Sequence, residues 1–313
     1  MKIFRSFDGT GRFPGPVLTI GNYDGVHIGH KRIIGRVVEK AQEISGTPML
    51  MTFSPHPHSV LKPDSYIRLI TPLHLKEKLV AENGIEVMFV IPFDEHLRSI
   101  PPESFIEDIL IDTLGVAGVI VGYDFRFGRG GVGDVEILKE FSQKKGFYFD
   151  VVDAITVDEE KIGSNRIRRL IMDGDLKKAN ELLDRPHMIE GIVVHGVNRG
   201  KGMGFPTINF ETVFELIPGN GVYITEVEFD GRKWPSVTNI GFNPTFEGKK
   251  LLVETHILNY SGDLYNRDIV IYFHERIREE RKFGNMEELK ERITLDVSIA
   301  RDYFKNRLNA RTA

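Results

Sequence analysis

No cysteine occurs in the chain, which excludes disulfides, thiolate metal sites and cysteine nucleophiles, and fits a reducing compartment. Positive charge is not in excess either: 41 Lys and Arg stand against 45 Asp and Glu, a formal charge of −4, so no field is available to hold a polyanion nonspecifically. Nucleic acid is therefore not an expected partner, while a local basic pocket for a small phosphate ligand stays open. Long hydrophobic runs are missing as well. No segment reaches the roughly 18 to 20 apolar residues of a membrane span, and the start, MKIFRSFDGTGRFPG, has no apolar stretch behind its charges. The expectation is a soluble cytoplasmic protein with no membrane partner, a monomer or a weak homo-oligomer. What is present is a 313-residue chain, 41% hydrophobic, which suits about two domains with a core each.

The first part alternates apolar β-rich runs with segments of helical period. The runs are Val17 to Ile20, Met49 to Phe53, Val87 to Ile91, Val119 to Val121 and Phe147 to Val152. Ile33, Ile34, Val37, Val38, Ala41 and Ile44 recur at helical spacing, with Gly46 placed to end that helix. Thr71 and Pro72 open a second helix that ends before Gly84, and further helices are expected over Pro102 to Leu114 and Asp134 to Lys145. Such alternation predicts a Rossmann-like parallel sheet covered by helices, with ligands at the carboxyl ends of the strands. The rhythm changes near Arg185 and Pro186. From Ile189 onward the segments IEGIVVHG, PTINF, VYITEVEF, KWPSVTNIG, LLVETHIL and DIVIYFHE read as short strands of an antiparallel β-barrel. Asp230-Gly231 reads as a hairpin turn and Ser261 to Asp263 as another, and an amphipathic helix marked by Met286, Leu289, Ile293, Val297, Ala300 and Phe304 closes the chain. The domains expected are residues 1–185 and 186–313.

The stretch TIGNYDGVHIGHKRII places His27 and His30 where a strand gives way to a helix. Backbone N–H groups and the positive helix end would face the ligand crevice there, a place for phosphate, with both imidazoles able to donate and Gly29 allowing close approach. A metal pair is a second reading, with a carboxylate, His56 or His58 as third ligand, and ordinary capping histidines a third. The HIGH stretch resembles the HxGH signature of nucleotidyltransferases. GNYDGVHIGH, FSPHP, TPLHLKEKL, PFDEHL and GYDFRFGRGGVGD, followed by GKGMGFPTINF, NGVY, NIGFNPTF, VETHIL, GDLYNRDIVI and REERKF, resemble in order the motifs of bacterial bifunctional riboflavin kinase/FAD synthetases across nearly the whole chain.

That resemblance implies two reactions: phosphorylation of riboflavin to FMN, and joining of FMN to ATP to give FAD and pyrophosphate. In the N-terminal domain it implies that His27 and His30 hold ATP phosphates, with Gly21, Asn22, Asp24, Gly29 and Ser164 around them. Arg166 and Arg168 of GSNRIRR supply cationic donors, and Phe53, His56, Asp124, Phe125 and Phe127 meet the flavin. The family pattern of two serines, threonine and arginine is altered here, with Gly163 and Asn165 at the first serine and the threonine. In the C-terminal domain the resemblance makes Glu254 the proton acceptor for the riboflavin hydroxyl, a poor nucleophile near neutrality. Alternation gives Glu254 one strand face with Leu252 and His256, expected to point inward. Thr207 and Asn209 of PTIN offer oxygens to Mg²⁺ bridging ATP phosphates. Gly200 and Gly204 open the backbone to phosphate, Lys201 adds charge, and Asn239, Arg278 and Glu279 lie near the flavin. Asn243 stands where the family commonly carries arginine.

Two decoys remain. Gly128, Gly130 and Gly133 spell GxGxxG, with a strand before and a helix after, so an NAD(P)-dependent oxidoreductase is the main alternative. Against it, Tyr123 to Phe127 separate the strand from the first glycine, whereas a dinucleotide fingerprint turns at once. GVNRGKG, Gly196 to Gly202, is one residue short of a P-loop and lacks its hydroxyl. A single-activity enzyme and a noncatalytic flavin-binding regulator complete the alternatives.

Overall fold

The computed structural model describes residues 1–8, 11–195, 204–245 and 248–312. The chain divides into two compact units, Met1–Ser164 and Asn165–Ala313, upstream of the change in rhythm at Arg185.

The first unit runs β1 (Lys2–Phe4), β2 (Pro16–Ile20), α1 (Ile28–Glu43), β3 (Thr47–Phe53), α2 (Pro57–Leu61), α3 (Leu73–Glu82), β4 (Val87–Ile91), α4 (Glu95–Ser99), α5 (Pro102–Ser104), a π-helix (Phe105–Thr113), β5 (Gly118–Gly122), α6 (Val135–Lys145) and β6 (Tyr148–Val152), then a small hairpin of β7 (Thr156–Val157) and β8 (Glu160–Lys161). The sheet is parallel throughout, in the order β1-β4-β3-β2-β5-β6. β2 and β4 are buried at every residue, as strands covered on both faces must be. The chain moves from β2 to β3 on one side and later returns to β5 on the other. The order therefore reverses at β2, and a crevice opens beyond the carboxyl ends of β2 and β5.

The helix expected over Pro102 to Leu114 is a short α-turn continued as a π-helix, which brings Phe105, Ile106, Ile109 and Leu110 all against the core. Thr71 does not cap α3; the cap position belongs to Pro72, and the Thr71 hydroxyl is turned inward.

α7 (Ser164–Asp173) and α8 (Leu176–Leu183) precede a closed six-stranded antiparallel barrel. Its strands are β9 (His187–Val194), β10 (Ile208–Glu211), β11 (Gly221–Phe229), β12 (Arg232–Thr245), β13 (Gly248–Ile257) and β14 (Asp268–Arg278), in the spatial order β10-β13-β12-β11-β14-β9. The Asn180 side chain ties α8 to the barrel, donating to the Phe273 and His274 carbonyls at 2.8 and 3.0 Å and accepting from the His187 N–H at 2.7 Å. The Asp230-Gly231 turn is a true hairpin, both residues having positive φ, 49° and 72°. The second expected hairpin, at Ser261 to Asp263, is corrected: β13 pairs with β10 and β12, and β14 with β11 and β9, so this segment is a crossover. The helix α9 (Met286–Thr312) lays Val297, Ala300 and Phe304 on Val222, Ile224 and Val237. Those three define the outer face of the barrel. The inner face carries a buried hydroxyl ladder, Ser236–Thr225 at 2.7 Å, Thr225–Thr238 at 2.8 Å and Thr238–Thr255 at 2.9 Å.

Candidate active sites

The turn after β2 is held by buried polar groups. Asp24 is 1% exposed, and its carboxylate accepts from the Ile70 N–H at 3.2 Å, the Thr71 N–H at 3.0 Å and the Thr71 hydroxyl at 3.2 Å. The Thr71 oxygen in turn accepts from the Gly25 N–H at 2.9 Å. Asp24 was expected to shape this turn beside the ATP phosphates, and its carboxylate does hold the turn through Ile70 and Thr71. On either side of it, Tyr23 and Val26 are left-handed, with φ of 50° and 42°. For a β-branched valine this costs about 1–3 kcal/mol, sustained only when the surroundings fix it, and Val26 is fully buried. Replacing Asp24 by Ala deprives two buried N–H groups and a hydroxyl of a charged acceptor. It should destabilise the turn by about 3 kcal/mol, seen as faster hydrogen exchange at the Ile70 and Thr71 amides.

His27 caps α1: its Nδ1 accepts the His30 N–H at 3.3 Å, which leaves Nε2 to carry the proton and donate. The two imidazoles stack at 3.6 Å and 17°, and Tyr23 lies against the far side of His30 at 4.9 Å. Face-to-face rings do not converge on one ion, which disfavours the metal-pair reading. Among the described residues no group of three His, Cys, Asp or Glu could hold a metal. A Cβ on Gly29 would come within 3.1 Å of the His27 ring, so this glycine makes room for the imidazole stack. Gly21 does the same for the Tyr23 ring, also at 3.1 Å. Burial, then the neighbouring His27 and Lys76, push the His30 pKa well below its ordinary value, so the ring is neutral. Among the described residues its buried Nδ1 has no hydrogen-bond partner.

The Ser164 hydroxyl donates to the Asp24 carbonyl at 2.8 Å, bringing the start of α7 to this turn. Phe53, edge-on to Phe93 at 5.6 Å, ends β3, and His56 caps α2 by accepting the His58 N–H at 3.1 Å. Asp124 is exposed beyond β5. Phe125 and Phe127 stack at 5.5 Å, but Phe127 is only 7% exposed and packs on Phe105, as a core residue beneath the loop. Asn165 accepts from Arg168, a buried residue of the same helix, and Arg166 is half-buried.

The glycine-rich loop is not a dinucleotide fingerprint. The Asp134 carboxylate already caps α6, accepting from the Glu136 and Ile137 N–H groups at 3.1 and 3.2 Å where a pyrophosphate would sit. Gly128 and Gly133 serve packing, since a Cβ would approach Pro102 to 2.7 Å and the Phe127 ring to 2.9 Å.

Lys76, Thr52 and Thr71 were not foreseen as site residues. Lys76 is 4% exposed; its Nζ donates to the Asn22 carbonyl at 2.6 Å and lies 3.5 Å from the Thr52 hydroxyl, which itself donates to Asn22 at 3.1 Å. A lysine on an amphipathic helix ordinarily reads as solvent-facing. The available signal is its place beside Leu75, Leu79 and Val80 on the buried stripe of α3.

In the barrel, register gathers residues far apart in sequence. Asn209 on β10 pairs with Glu254 on β13, Glu254 with Asn239 on β12, Asn239 with Val222 on β11, and Val222 with Arg278 on β14. Directly opposed residues share a face, so Asn209, Glu254 and Asn239 form one polar row. The face is the outer one. Leu252, Glu254 and His256 are partly exposed while Val253, Thr255 and Ile257 are buried, which corrects the expectation that Glu254 points into the barrel. His256 fixes PTIN beside this row through a 2.8 Å hydrogen bond between its Nδ1 and the Pro206 carbonyl. Thr207 is half-buried and Asn209 is 8% exposed. Arg278 is committed to the protein, pairing with the buried Asp296 of α9 at 2.9 to 3.2 Å, and Glu279 is exposed beyond it. Gly204 is left-handed, with φ 86°. Gly200 and Lys201 lie outside the described residues, as does the side chain of Asn243.

A histidine pair at the reversal point of a parallel sheet, joined in one chain to a polar row with a single carboxylate on a closed barrel, defines a two-unit transferase of the nucleotide-dependent class. Residues 12–166 match the family model for FAD synthetase and residues 183–304 that for riboflavin kinase. The chain belongs to the bifunctional riboflavin kinase/FMN adenylyltransferase family. It is 36% identical to the member from Pseudomonas fluorescens over 92% of each chain, and 37% identical to that from Bacillus subtilis over 93% of each. It also superposes with a TM-score of 0.88 on a crystal structure from Streptococcus pneumoniae described as a macrolide-efflux protein, at 27% identity and over 96% of this chain and 98% of that one. Among the described residues no helix is long and apolar enough to cross a membrane.

Proposed function

We infer that the chain carries out both steps of flavin cofactor synthesis. Riboflavin and ATP give FMN and ADP at the barrel, within residues 186–313; FMN and ATP give FAD and pyrophosphate at the parallel sheet, within residues 1–185. The observation that carries this reading is the coexistence of the His27–His30 stack at the sheet's reversal point and the Asn209–Glu254–Asn239 row on the barrel.

At the sheet, the FMN phosphate is already an anionic nucleophile, so the step needs alignment and charge neutralisation more than a base. His27 and His30 donate to ATP phosphates through Nε2, Gly21 and Gly29 leave room for the rings beside them, and Asn22 and Asp24 fix the turn. Arg166 and Arg168, just beyond Ser164 on α7, supply cationic donors. Phe53, His56, Asp124 and Phe125 flank the flavin, with Phe127 supporting Phe125 from below.

At the barrel, Glu254 takes the proton from the ribityl hydroxyl as it attacks the terminal phosphorus of ATP. Thr207 and Asn209 are hard oxygen donors beside it, a set that fits Mg²⁺, which in nucleotide sites keeps one or two protein oxygens and takes the rest from phosphate and water. When bound, Mg²⁺ neutralises charge on the transferring phosphates. Gly200, Lys201 and Gly204 approach the nucleotide, and Asn239, Arg278 and Glu279 border the flavin. Soluble substrates and a cysteine-free chain suit a cytoplasmic enzyme acting as a monomer or weak homo-oligomer.

Incubating the pure protein with riboflavin, ATP and Mg²⁺ and resolving the flavins by chromatography tests this. Sequential appearance of FMN and FAD is expected. Flavin binding with release of neither ADP nor pyrophosphate would leave a noncatalytic regulator, and a single product a single-activity enzyme.

A further inference from the structure

Lys76 lies outside every motif role assigned above, yet it is among the most deeply buried charges of the first unit. Its ammonium has three protons, and among the described residues two acceptors are found for them, the Asn22 carbonyl at 2.6 Å and the Thr52 hydroxyl at 3.5 Å. Taking an ammonium out of water is costly unless it is engaged, and a structural tie between a helix and a loop carbonyl could be made by a neutral side chain. The residue it grips is the second of the turn that leads to both imidazoles. The same carbonyl also receives the Thr52 hydroxyl, so β3 and α3 converge on one oxygen.

We propose that Lys76 is a positioning residue for adenylyl transfer: by clamping the Asn22 carbonyl together with Thr52, it sets the turn that carries His27 and His30. This rests on the assignment of adenylyl transfer to the first unit. Two effects follow. The turn has left-handed Tyr23 and Val26 to hold in place, and a strained segment relaxes when a tie is cut. The cation also opposes protonation of His30, which is faced by His27 from its own helix, Tyr23 from the turn and Lys76 from α3, with the Asp24 carboxylate as the nearest counter-charge to Lys76. Lys76 therefore adds to burial and His27 in keeping His30 neutral.

The experiment compares the full-length protein with Lys76→Met, Lys76→Arg and Thr52→Val. Wild type must first convert supplied FMN to FAD; if it does not, the assignment of the first unit fails whatever Lys76 does. Given that activity, Lys76→Met should lower kcat for FAD formation by about 100-fold, the scale of an ångström-sized misplacement, with a smaller change in the KM for ATP. Riboflavin phosphorylation should hold within about twofold, and Lys76→Arg should recover part of the loss by restoring a cationic donor. In an NMR titration of the imidazoles, the His30 midpoint should move to higher pH in Lys76→Met, because a like charge has gone. Should Lys76→Met not fold, Thr52→Val decides: it cuts the second tie to the same oxygen and should reduce kcat about fivefold, one hydrogen bond's worth. FAD formation at wild-type kcat with an unmoved His30 midpoint, or at wild-type kcat in Thr52→Val when Lys76→Met is lost, would overturn the proposal.

Discussion

Glu254→Ala is expected to abolish FMN formation from riboflavin while FAD formation from supplied FMN continues. A ribityl hydroxyl holds its proton far above neutral pH, so attack on phosphorus needs an acceptor in place, and a positioned general base is worth about 10² to 10⁴ in rate. Three features support Glu254 as the proposed acceptor. It sits on the central strand of the β10-β13-β12 triplet, so its backbone is fixed from both sides. Its row neighbours, Asn209 and Asn239, are neutral amides that can hydrogen-bond substrate without competing for the proton. It also lies on the outer, partly exposed face, where a substrate hydroxyl can approach it. Glu254→Gln preserves shape and hydrogen bonding and removes the basicity alone, so it should be nearly as inactive as the alanine variant, with the riboflavin KM little changed. The flavin products are separated by chromatography, once from riboflavin and once from FMN. Loss of both activities, or of neither, would break the division of labour between barrel and sheet.

The fold was legible where burial dictates composition. β2, β3, β4 and β5 are continuous apolar runs because helices cover both sheet faces, and the barrel strands alternate because one face is wetter. What escaped depended on partners distant in sequence. β1 is three residues long at the sheet edge, too short to carry a pattern. The segment from Ser261 to Asp263 has turn chemistry, but closure of the barrel decides which strands meet, and β13 meets β10 and β12. The π-helix follows from packing Phe105, Ile106, Ile109 and Leu110 together, which no 3.6-residue period announces.

The sites show the same split. The histidine pair and the PTIN and VETHIL segments stand out locally, and their chain order carried the family resemblance. The groups that hold them do not. Asp24 turns inward to Ile70 and Thr71, Lys76 reaches back to Asn22, and His256 secures Pro206. Each of these pairs spans a long stretch of chain, so only the folded topology brings them within hydrogen-bonding distance. Register did what local reading could not, lining up Asn209, Glu254 and Asn239 from three separate strands.

His30→Ala should produce the opposite phenotype to Glu254→Ala: FMN accumulates from riboflavin, and its conversion to FAD falls by about 10² to 10³, the loss typical of one preorganised donor facing developing charge. The alanine removes more than a donor, because the His30 ring stacks on His27 and packs against Tyr23. His30→Asn, which keeps a donor but loses the stack, should therefore recover little of the rate. The acid response adds an independent check. Burial, His27 and Lys76 hold the His30 pKa well below its ordinary 6.5, so the unfolded chain takes up a proton there that the folded chain refuses. The group contributes its full share of stability above that unfolded value, and the share is lost progressively as pH falls below it towards the lowered folded value. Chemical denaturation of His30→Ala across this range should accordingly show a shallower decline in stability on acidification than wild type. An equally steep decline would mean that His30 is protonated in the folded protein, and that it meets phosphate as a cation instead of a neutral donor.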